Sequence, residues 1–276
     1  MTNSRYEEMF PWEIAKAMHE APIGYLPLGT LEWHGEHNVV GLDTLKAQAI
    51  CAQAAEISGG LVLPPFYWAT DWREDQPDGS YVTGGIEYGE RYHVPGSMFW
   101  LRPETYLNLL LDVYEAMRRR GFKVIVVLCG HWARDTLPTV RQSGELFLAQ
   151  HPEVKWMMVS DLELGEDVGY LHEHAARGET SLMLAIRPEL VRLELVYETD
   201  KSLREYYTGM PEHLRRRRET QHKYIGILTA AVDGSNDPEL ASAERGRFLL
   251  ETIAARLAER ARGLVDAAQE DEAAER

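Results

Sequence analysis

The segment from residue 26 to Asp43 combines carboxylates and imidazoles in a pattern typical of a metal site. Glu32 and His34 lie two positions apart, so their side chains point the same way in an extended chain. His37 and Asp43 follow within about one loop's length. Divalent metals such as zinc, manganese and iron accept this mixture of oxygen and nitrogen donors. Two plainer interpretations stay open: a solvated surface loop and, for Asp43, the N-cap of the next helix.

Two further clusters of acidic and imidazole residues lie downstream. His131 follows the strongly apolar run at 124–128. The pair Glu173 and His174 precedes Glu179. Each cluster follows a predicted strand or opens a predicted helix, which is where open α/β sheets build their sites. The sequence therefore predicts that separate segments of the chain meet at one metal centre.

Strands and helices alternate along the chain, and they must position these residues. Apolar runs predict strands over 23–28, 61–64, 124–128 and 155–159. Helical spacing of apolar residues predicts helices over 11–18, 43–57, 102–120, 137–150, 179–186 and 239–262. This alternation implies βαβ units and the α/β class, with a three-layer α/β/α architecture around a mostly parallel central sheet.

One domain, residues 1–276, accounts for the whole chain. Residues 66–92 are rich in aromatic, acidic and glycine residues, and we expect an irregular loop there that contributes to a substrate pocket or a subunit contact. The end of the chain, from about residue 264 to 276, is acidic and rich in alanine, and we expect it to be frayed and flexible.

Charge and composition narrow the class of function. With 29 basic and 44 acidic residues the net charge is −15, which repels nucleic acid and favours a small neutral or zwitterionic substrate. The basic run from Arg215 to Arg218 lacks interleaved aromatic residues, so we interpret it as a solvated or subunit-contact segment. The sequence has no membrane-length apolar run and no signal pattern at its start, so we expect a cytoplasmic location.

The two cysteines, Cys51 and Cys129, are too few for a disulfide framework. Cys51 lies in a predicted helix, where we expect a small buried hydrophobe. Cys129 lies two residues before His131, so a thiolate ligand or nucleophile has to be considered. We favour it less, because a metal that activates water makes a protein nucleophile unnecessary.

Residues 27–37 (PLGTLEWHGEH), together with Asp43, resemble the signature of the creatininase family, also called creatinine amidohydrolases. Four later pieces agree with that family in order: His93 to Ser97, Gly130-His131, Glu173-His174 with Gly178 to Ser181, and Gly234 to Gly246. The resemblance extends over nearly the whole chain, from about Trp12 to about Arg260.

This resemblance implies hydrolysis of a non-peptide amide C–N bond in a small cyclic or formylated compound, at a centre of two divalent metal ions. It implies Glu32, Asp43 and His131 as ligands of one metal. It implies His34, Asp43 and Glu179 as ligands of the second, with Asp43 as the bridging carboxylate. Zinc, manganese and iron all suit these ligands. Members of the family are commonly homo-oligomers, often hexamers.

The resemblance also implies roles around the metals. His174 is the expected general acid or proton shuttle for the leaving nitrogen, and Glu173 is expected to orient or assist it. The alternative is that either residue fixes a metal ligand. His37 is expected to line the pocket. Tyr170 is expected either to cover a bound ring or to pack in the core.

One departure from creatininase itself affects the expected substrate. Where that enzyme has a metal-binding glutamate two residues after the ligand histidine, this chain has Ala133, and Glu179 takes over as the expected ligand. The departure favours a deformylase, a lactam-opening amidase or a peptide-trimming relative over an enzyme for creatinine. An alternative of a different class is a non-catalytic relative that keeps one metal as a binding or assembly module.

Overall fold

The computed structural model describes residues 4–70, 73–75, 77, 79, 81–83, 87–88, 92–93, 96–98, 100–171, 174–196 and 237–274. Glu173 and the basic run from Arg215 to Arg218 lie outside these ranges, and so does the predicted pairing of Glu173 with His174. Among the helices of the described ranges, we find none that combines the length and the apolar character needed to span a bilayer.

The strands are β1 (Ile23–Leu28), β2 (Leu61–Val62), β3 (Ala69–Thr70), β4 (Arg73–Asp75), β5 (Tyr81–Thr83), β6 (Glu87–Tyr88), β7 (Tyr92–His93), β8 (Trp100–Leu101), β9 (Val124–Cys129) and β10 (Lys155–Ser160). The helices are α1 (Pro11–Glu20), α2 (Leu42–Ser58), α3 (Pro103–Arg119), α4 (Thr136–Gln150), α5 (Asp161–Gly165), α6 (Arg177–Ile186) and α7 (Ala243–Ala274). Short 3₁₀ turns connect several of them.

The central sheet is parallel and has the strand order β10-β9-β1-β2. Side chains of β9 alternate between two apolar layers. Val124, Val126 and Leu128 pack against α2 and α7 on one face, and Ile125 and Val127 pack against α3 and α4 on the other. Because all six residues of β9 are buried, this strand lies at the centre of the core. The predicted three-layer α/β/α fold is therefore confirmed.

The strand order reverses direction between β1 and β9. From β1 the chain continues through α2 to the neighbouring β2, whereas from β9 it continues through α4 to β10 on the opposite side. The connecting helices consequently cover opposite faces of the sheet. Such a switch point opens a crevice at the carboxyl ends of the two strands, where α/β proteins bind ligands. Glu32 lies four residues after the end of β1, and His131 lies two residues after the end of β9.

Several predicted boundaries need correction. Helix α2 begins at Leu42 and its N-cap is Gly41, so the N-cap interpretation of Asp43 was wrong and Asp43 lies in the first turn. The region 66–92 includes the short antiparallel strands β4 to β7, whose few pairs leave only a weak alternation in the sequence. The acidic end is helical through Ala274, because alanine and glutamate favour helix and Lys155 contacts Asp271.

Candidate metal centre

The residues predicted to bind metal meet at the carboxyl edge of the central sheet. Glu32 and His34 lie in the loop after β1, and His131 lies two residues after β9. Asp43 and Glu179 come from the first turns of α2 and α6. His34, Asp43, His131 and Glu179 are buried, and Glu32 is nearly so. The structure thus brings together five side chains that span 148 positions of the chain, from residue 32 to residue 179.

Asp43 divides its two carboxylate oxygens between two imidazoles. Its Oδ1 lies 3.2 Å from His34 Nε2, and its Oδ2 lies 3.0 Å from His131 Nδ1. The Asp43 carboxylate thus contacts both rings. A carboxylate in this position can reach two cations at once, one through each oxygen.

Each imidazole also faces a second carboxylate. His131 Nδ1 lies 3.2 Å from Glu32 Oε2, and His34 Nε2 lies 3.8 Å from Glu179 Oε2. In the trio Glu32, Asp43 and His131, and again in the trio His34, Asp43 and Glu179, the possible ligand atoms lie within 4.8 Å of one another. Both trios contain Asp43. These two groups match the ligand sets that the family resemblance implies, and a third group within the described residues consists of Glu32, His34 and His174.

Close backbone approach lets α2 deliver Asp43 to this edge. A Cβ added at Gly130, between β9 and His131, would lie 2.3 Å from the Asp43 carbonyl oxygen. Any side chain at position 130 would therefore push the start of α2 away from the end of β9. The contact explains in physical terms why a glycine precedes the histidine in the family-like Gly130-His131 pair.

A second close approach positions Glu179. Helix α7 packs so tightly on α6 that a Cβ at Gly246 would lie 1.8 Å from the Ser181 carbonyl oxygen. Ala175, just before α6, has a φ of 54°, a conformation that non-glycine residues rarely adopt. That geometry directs its N–H to Glu179 Oε2 at 2.7 Å and its carbonyl oxygen to His37 Nε2 at 2.9 Å. Unusual backbone geometry of this kind concentrates at functional sites.

The buried carboxylates create a strongly negative field. Burial disfavours charge on His34, but Asp43 and its neighbours raise the pKa of that imidazole to about 9. Burial likewise opposes charge on His131, yet Glu32 and Asp43 raise its pKa to about 10. Burial would raise the pKa of Asp43, and the imidazoles outweigh it and hold the pKa well below its usual range. The field therefore favours positive charge at both histidines.

Hydrogen bonding shows that these residues fit a cation. His34 Nδ1 lies 2.9 Å from the Glu32 carbonyl oxygen, which can only accept, so Nδ1 carries a hydrogen. In the neutral ring, Nε2 is then a lone pair that faces the carboxylates of Asp43 and Glu179. Either a proton or a metal ion between Nε2 and these carboxylates removes the repulsion, so a metal ion can take the place of the proton that the field favours. Zinc and manganese accept this set of nitrogen and oxygen donors.

His174 lies at the rim of this cluster. Its Nε2 donates to the Trp33 carbonyl oxygen at 2.7 Å, and its Nδ1 lies 3.9 Å from Glu32 Oε2. The ring lies beside that of His34, with the centroids 4.4 Å apart. Its side chain keeps 23% of its surface exposed, unlike the buried ring of His34. His174 is therefore partly open to solvent, and its Nδ1 faces Glu32.

The other predicted residues occupy supporting positions. His37 is buried and donates a hydrogen bond to the Ala175 carbonyl oxygen, so it connects the loop after β1 to the segment before α6. Burial lowers the pKa of its imidazole. Tyr170 is fully buried in the core, which matches the packing interpretation. Cys129 packs in the opposite apolar layer, and burial raises the pKa of its thiol, which suits a small hydrophobe better than a ligand.

Sequence reasoning missed three residues beside the centre. Lys46 lies one turn after Asp43 and is fully buried. Its Nζ lies 2.5 Å from Glu179 Oε1 and 3.3 Å from Asp161 Oδ2. Trp132 donates to Asp161 Oδ1 at 2.6 Å. Two features of the sequence could have identified Lys46 and Asp161. Lys46 is a lysine on the apolar face of a helix rich in alanine, and Asp161 is an acid directly after a strand.

A family model named Creatininase, described as creatinine amidohydrolase, matches residues 7–261. The chain is 27% identical to the creatinine amidohydrolase of Pseudomonas putida over 261 residues, covering 89% of this chain and 88% of that protein. It is 22% identical over 211 residues to 3-dehydro-scyllo-inosose hydrolase of Thermotoga maritima, covering 72% of this chain and 61% of that protein.

Solved structures share the fold. A crystal structure of creatinine amidohydrolase (creatininase) has a TM-score of 0.68 and 23% identity, covering 94% of this chain and 97% of the other. A structure described as creatininase Mn has a TM-score of 0.68, and a mutant creatininase of Zn-Zn type has 0.66. Each is 22% identical and covers 95% of this chain and 98% of the other. The family model spans most of the described structure, and the chain belongs to the creatininase family.

Proposed function

We propose that this protein is a metal-dependent amidohydrolase that hydrolyses a C–N bond, other than a peptide bond, in a small cyclic amide or formamide. The observation that carries the proposal is the division of the Asp43 oxygens between His34 and His131. One carboxylate shared by two ligand trios is the arrangement that a binuclear centre needs, because a bridging anion lowers the repulsion between two dications.

In this proposal Glu32, Asp43 and His131 hold one metal, and His34, Asp43 and Glu179 hold the other. Zinc and manganese are the leading candidates, since related structures carry these metals in their descriptions, and iron accepts the same donors. When bound, the metals supply Lewis acidity, which lowers the pKa of water and polarises a substrate carbonyl. The protein's part is to fix the ligand positions, and each trio comes from at least two elements of a packed core.

His174 is the proposed proton donor. An amide nitrogen leaves poorly as an anion, so it must receive a proton as the C–N bond breaks. His174 Nε2 is engaged by the Trp33 carbonyl oxygen, which leaves Nδ1 directed toward Glu32 and the centre. Because the ring is partly exposed, it can be reprotonated from solvent after each turnover. Glu173 is the proposed partner that assists it.

The substrate is proposed to be small and not anionic. The net charge of −15 favours a small neutral or zwitterionic compound over a polyanionic one. Ala133 supplies no carboxylate after His131, and Glu179 reaches the second trio instead. The ligand set therefore differs from the one that the resemblance gives to creatininase, which favours a cyclic amide or formamide other than creatinine. Assembly into a homo-oligomer, expected from the family, is part of the proposal, and sedimentation analysis tests it.

The test is hydrolysis of a substrate panel by protein loaded with zinc or manganese. The panel contains creatinine, hydantoins, small lactams, formamides and 3-dehydro-scyllo-inosose, the last because a relative is named for it. The proposal expects turnover of at least one amide, abolished in Glu32→Gln and retained in Glu145→Gln, a matched change at an exposed glutamate of α4. Failure of the loaded protein to bind metal, or turnover of the inosose alone, contradicts it.

A further inference from the structure

Lys46 is a fully buried lysine that lies beside the proposed metal centre. It lies three positions after Asp43 on α2, so both side chains project from the same face of the helix. Its Nζ lies 3.6 Å from Asp43 Oδ1 and 2.5 Å from Glu179 Oε1. Burial of an ammonium group costs free energy unless charged or hydrogen-bonding partners lie close to it.

Three residues outside the ligand trios hold this ammonium in place. Asp161 Oδ2 lies 3.3 Å from Nζ, and Tyr170 accepts a hydrogen bond from it at 3.1 Å. Nζ also lies 4.4 Å from the centroid of the Trp132 ring. Tyr170 and Trp132 both donate to Asp161, at 3.1 and 2.6 Å. The lysine is therefore fixed by a cluster that makes its own hydrogen bonds.

The two carboxylate oxygens of Glu179 have different partners. Oε1 accepts from Lys46 Nζ. Oε2 accepts from the N–H of Ala175 at 2.7 Å and faces His34 Nε2 at 3.8 Å. With Oε1 held by the ammonium, rotation of the carboxylate is restricted, and Oε2 is the oxygen presented to the trio of His34, Asp43 and Glu179.

We propose that Lys46 is a positioning residue for the second metal: it holds Glu179 so that Oε2 faces the trio, and Asp161 balances its charge. The inference rests on the proposed binuclear function and adds a residue to it. Partners that orient a metal ligand commonly contribute 10–100-fold to metal affinity. Lys46 lies near Oδ1 of Asp43, the oxygen that faces His34, whereas the first trio uses Oδ2, which lies 3.0 Å from His131 Nδ1. Loss of the lysine should therefore weaken the second ion selectively.

The opposite possibility is that the ammonium only repels metal ions. Replacing Lys46 alone would not separate the two effects, because it leaves the Asp161 carboxylate uncompensated and draws cations inward. Lys46→Met combined with Asp161→Asn removes one positive and one negative charge, so the net charge near the centre stays the same. The double variant therefore isolates the loss of the Glu179 anchor from the change in field.

The experiment is a stepwise titration of the metal-free full chain with Zn²⁺ alone, in competition with a chromophoric chelator. Wild type is expected to bind two ions. The double variant is expected to bind the first ion with unchanged affinity and the second about 10–100-fold more weakly. Lys16→Met with Asp112→Asn, which changes the same residue types at exposed positions of α1 and α3, should bind both ions as wild type does.

Second-ion affinity equal to or higher than that of wild type in the folded double variant would overturn the inference, because Lys46 would then be a structural or repelling charge. If circular dichroism shows that the double variant does not fold, Tyr170→Phe decides the matter. It removes only one hydroxyl that Lys46 contacts, and it should weaken the second ion selectively; unchanged binding would overturn the inference. Fewer than two ions bound by wild type would instead contradict the proposed binuclear function itself.

Discussion

Two clusters of acids, imidazoles and cationic side chains in the described part of the chain differ in where they lie. One surrounds Asp43 at the carboxyl edge of the sheet. The other joins α3 and α4 at the surface, where Glu115 pairs with Arg118, Arg119 and His151 at distances of 2.6 to 3.4 Å. The residue types are similar. Around Asp43 the side chains are almost fully buried, whereas Glu115 and His151 keep 26% and 23% of their surface exposed.

Burial, more than residue type, therefore distinguishes the candidate metal centre from the cluster of charged residues at the surface. At the surface, water screens the charges, each residue keeps its solvent, and such pairs commonly contribute little to stability. In the interior, water screens the charges little, so each buried charge requires a cation or a partner. The buried cluster also draws its members from four separate elements, which only a specific fold can bring together.

Asp43→Asn, which changes the central acid of the buried cluster, should have the largest effect. We expect hydrolysis of any substrate found in the panel to fall by more than about 10⁴-fold, because both metals lose their shared ligand. Steady-state kinetics and metal analysis check this. Asp112→Asn, at an exposed aspartate of α3, should change neither. An Asp43→Asn protein that retains two metals would contradict the shared role.

His174→Asn should produce the next largest effect on activity. Loss of the proton donor is expected to lower kcat by about 10²- to 10⁴-fold, with two metals still bound because His174 belongs to neither proposed ligand set. His151→Asn removes the histidine of the surface cluster and should leave kcat unchanged. A His174→Asn protein with wild-type kcat would show that the proton comes from another group.

Lys46→Met should be strongly destabilising. Removal of the lysine leaves the buried Asp161 carboxylate without its positively charged partner, and breaking a buried ion pair in this way commonly costs about 3–5 kcal/mol. Burial already raises the pKa of Asp161 to about 6, with Lys46 and Trp132 opposing that shift. Urea unfolding of the metal-free protein measures the loss, and Lys16→Met on the exposed face of α1 provides the comparison. Equal stability of the two variants would mean that the buried pair contributes nothing net.

Glu115→Gln should have the smallest effect. It removes the central acid of the surface cluster, whose pKa the hydrogen bonds from Arg118 and Arg119 hold at about 2. Because the carboxyl lies at the surface and is partly exposed, and because the arginines remain solvated, we expect no measurable change in the urea midpoint or in activity. A substantial loss in either would show that exposed and buried clusters are not as different as the comparison implies.

The sequence was sufficient to predict what depends on neighbours in the chain. Strand β1 was predicted with its observed bounds, because a buried apolar run is a local property of the sequence. The central strand β9 was recognisable from its unbroken run of buried apolar residues. His131 followed from its place after that strand.

What the sequence could not show depends on contacts between distant segments. The place of Asp43 depends on Gly130, which lets α2 approach β9. The pairing of Lys46 with Asp161 joins residues 115 positions apart, counting from 46 to 161, and no local pattern encodes it. The short strands β4 to β7 were read as loop because two- and three-residue strands carry almost no periodic signal.

The most direct test of the central claim is anomalous scattering from crystals of the protein loaded with zinc or manganese. The account predicts two anomalous peaks per chain, one beside each carboxylate oxygen of Asp43, with His131 and Glu32 at the first and His34 and Glu179 at the second. A single peak, or peaks that do not contact Asp43, would contradict it.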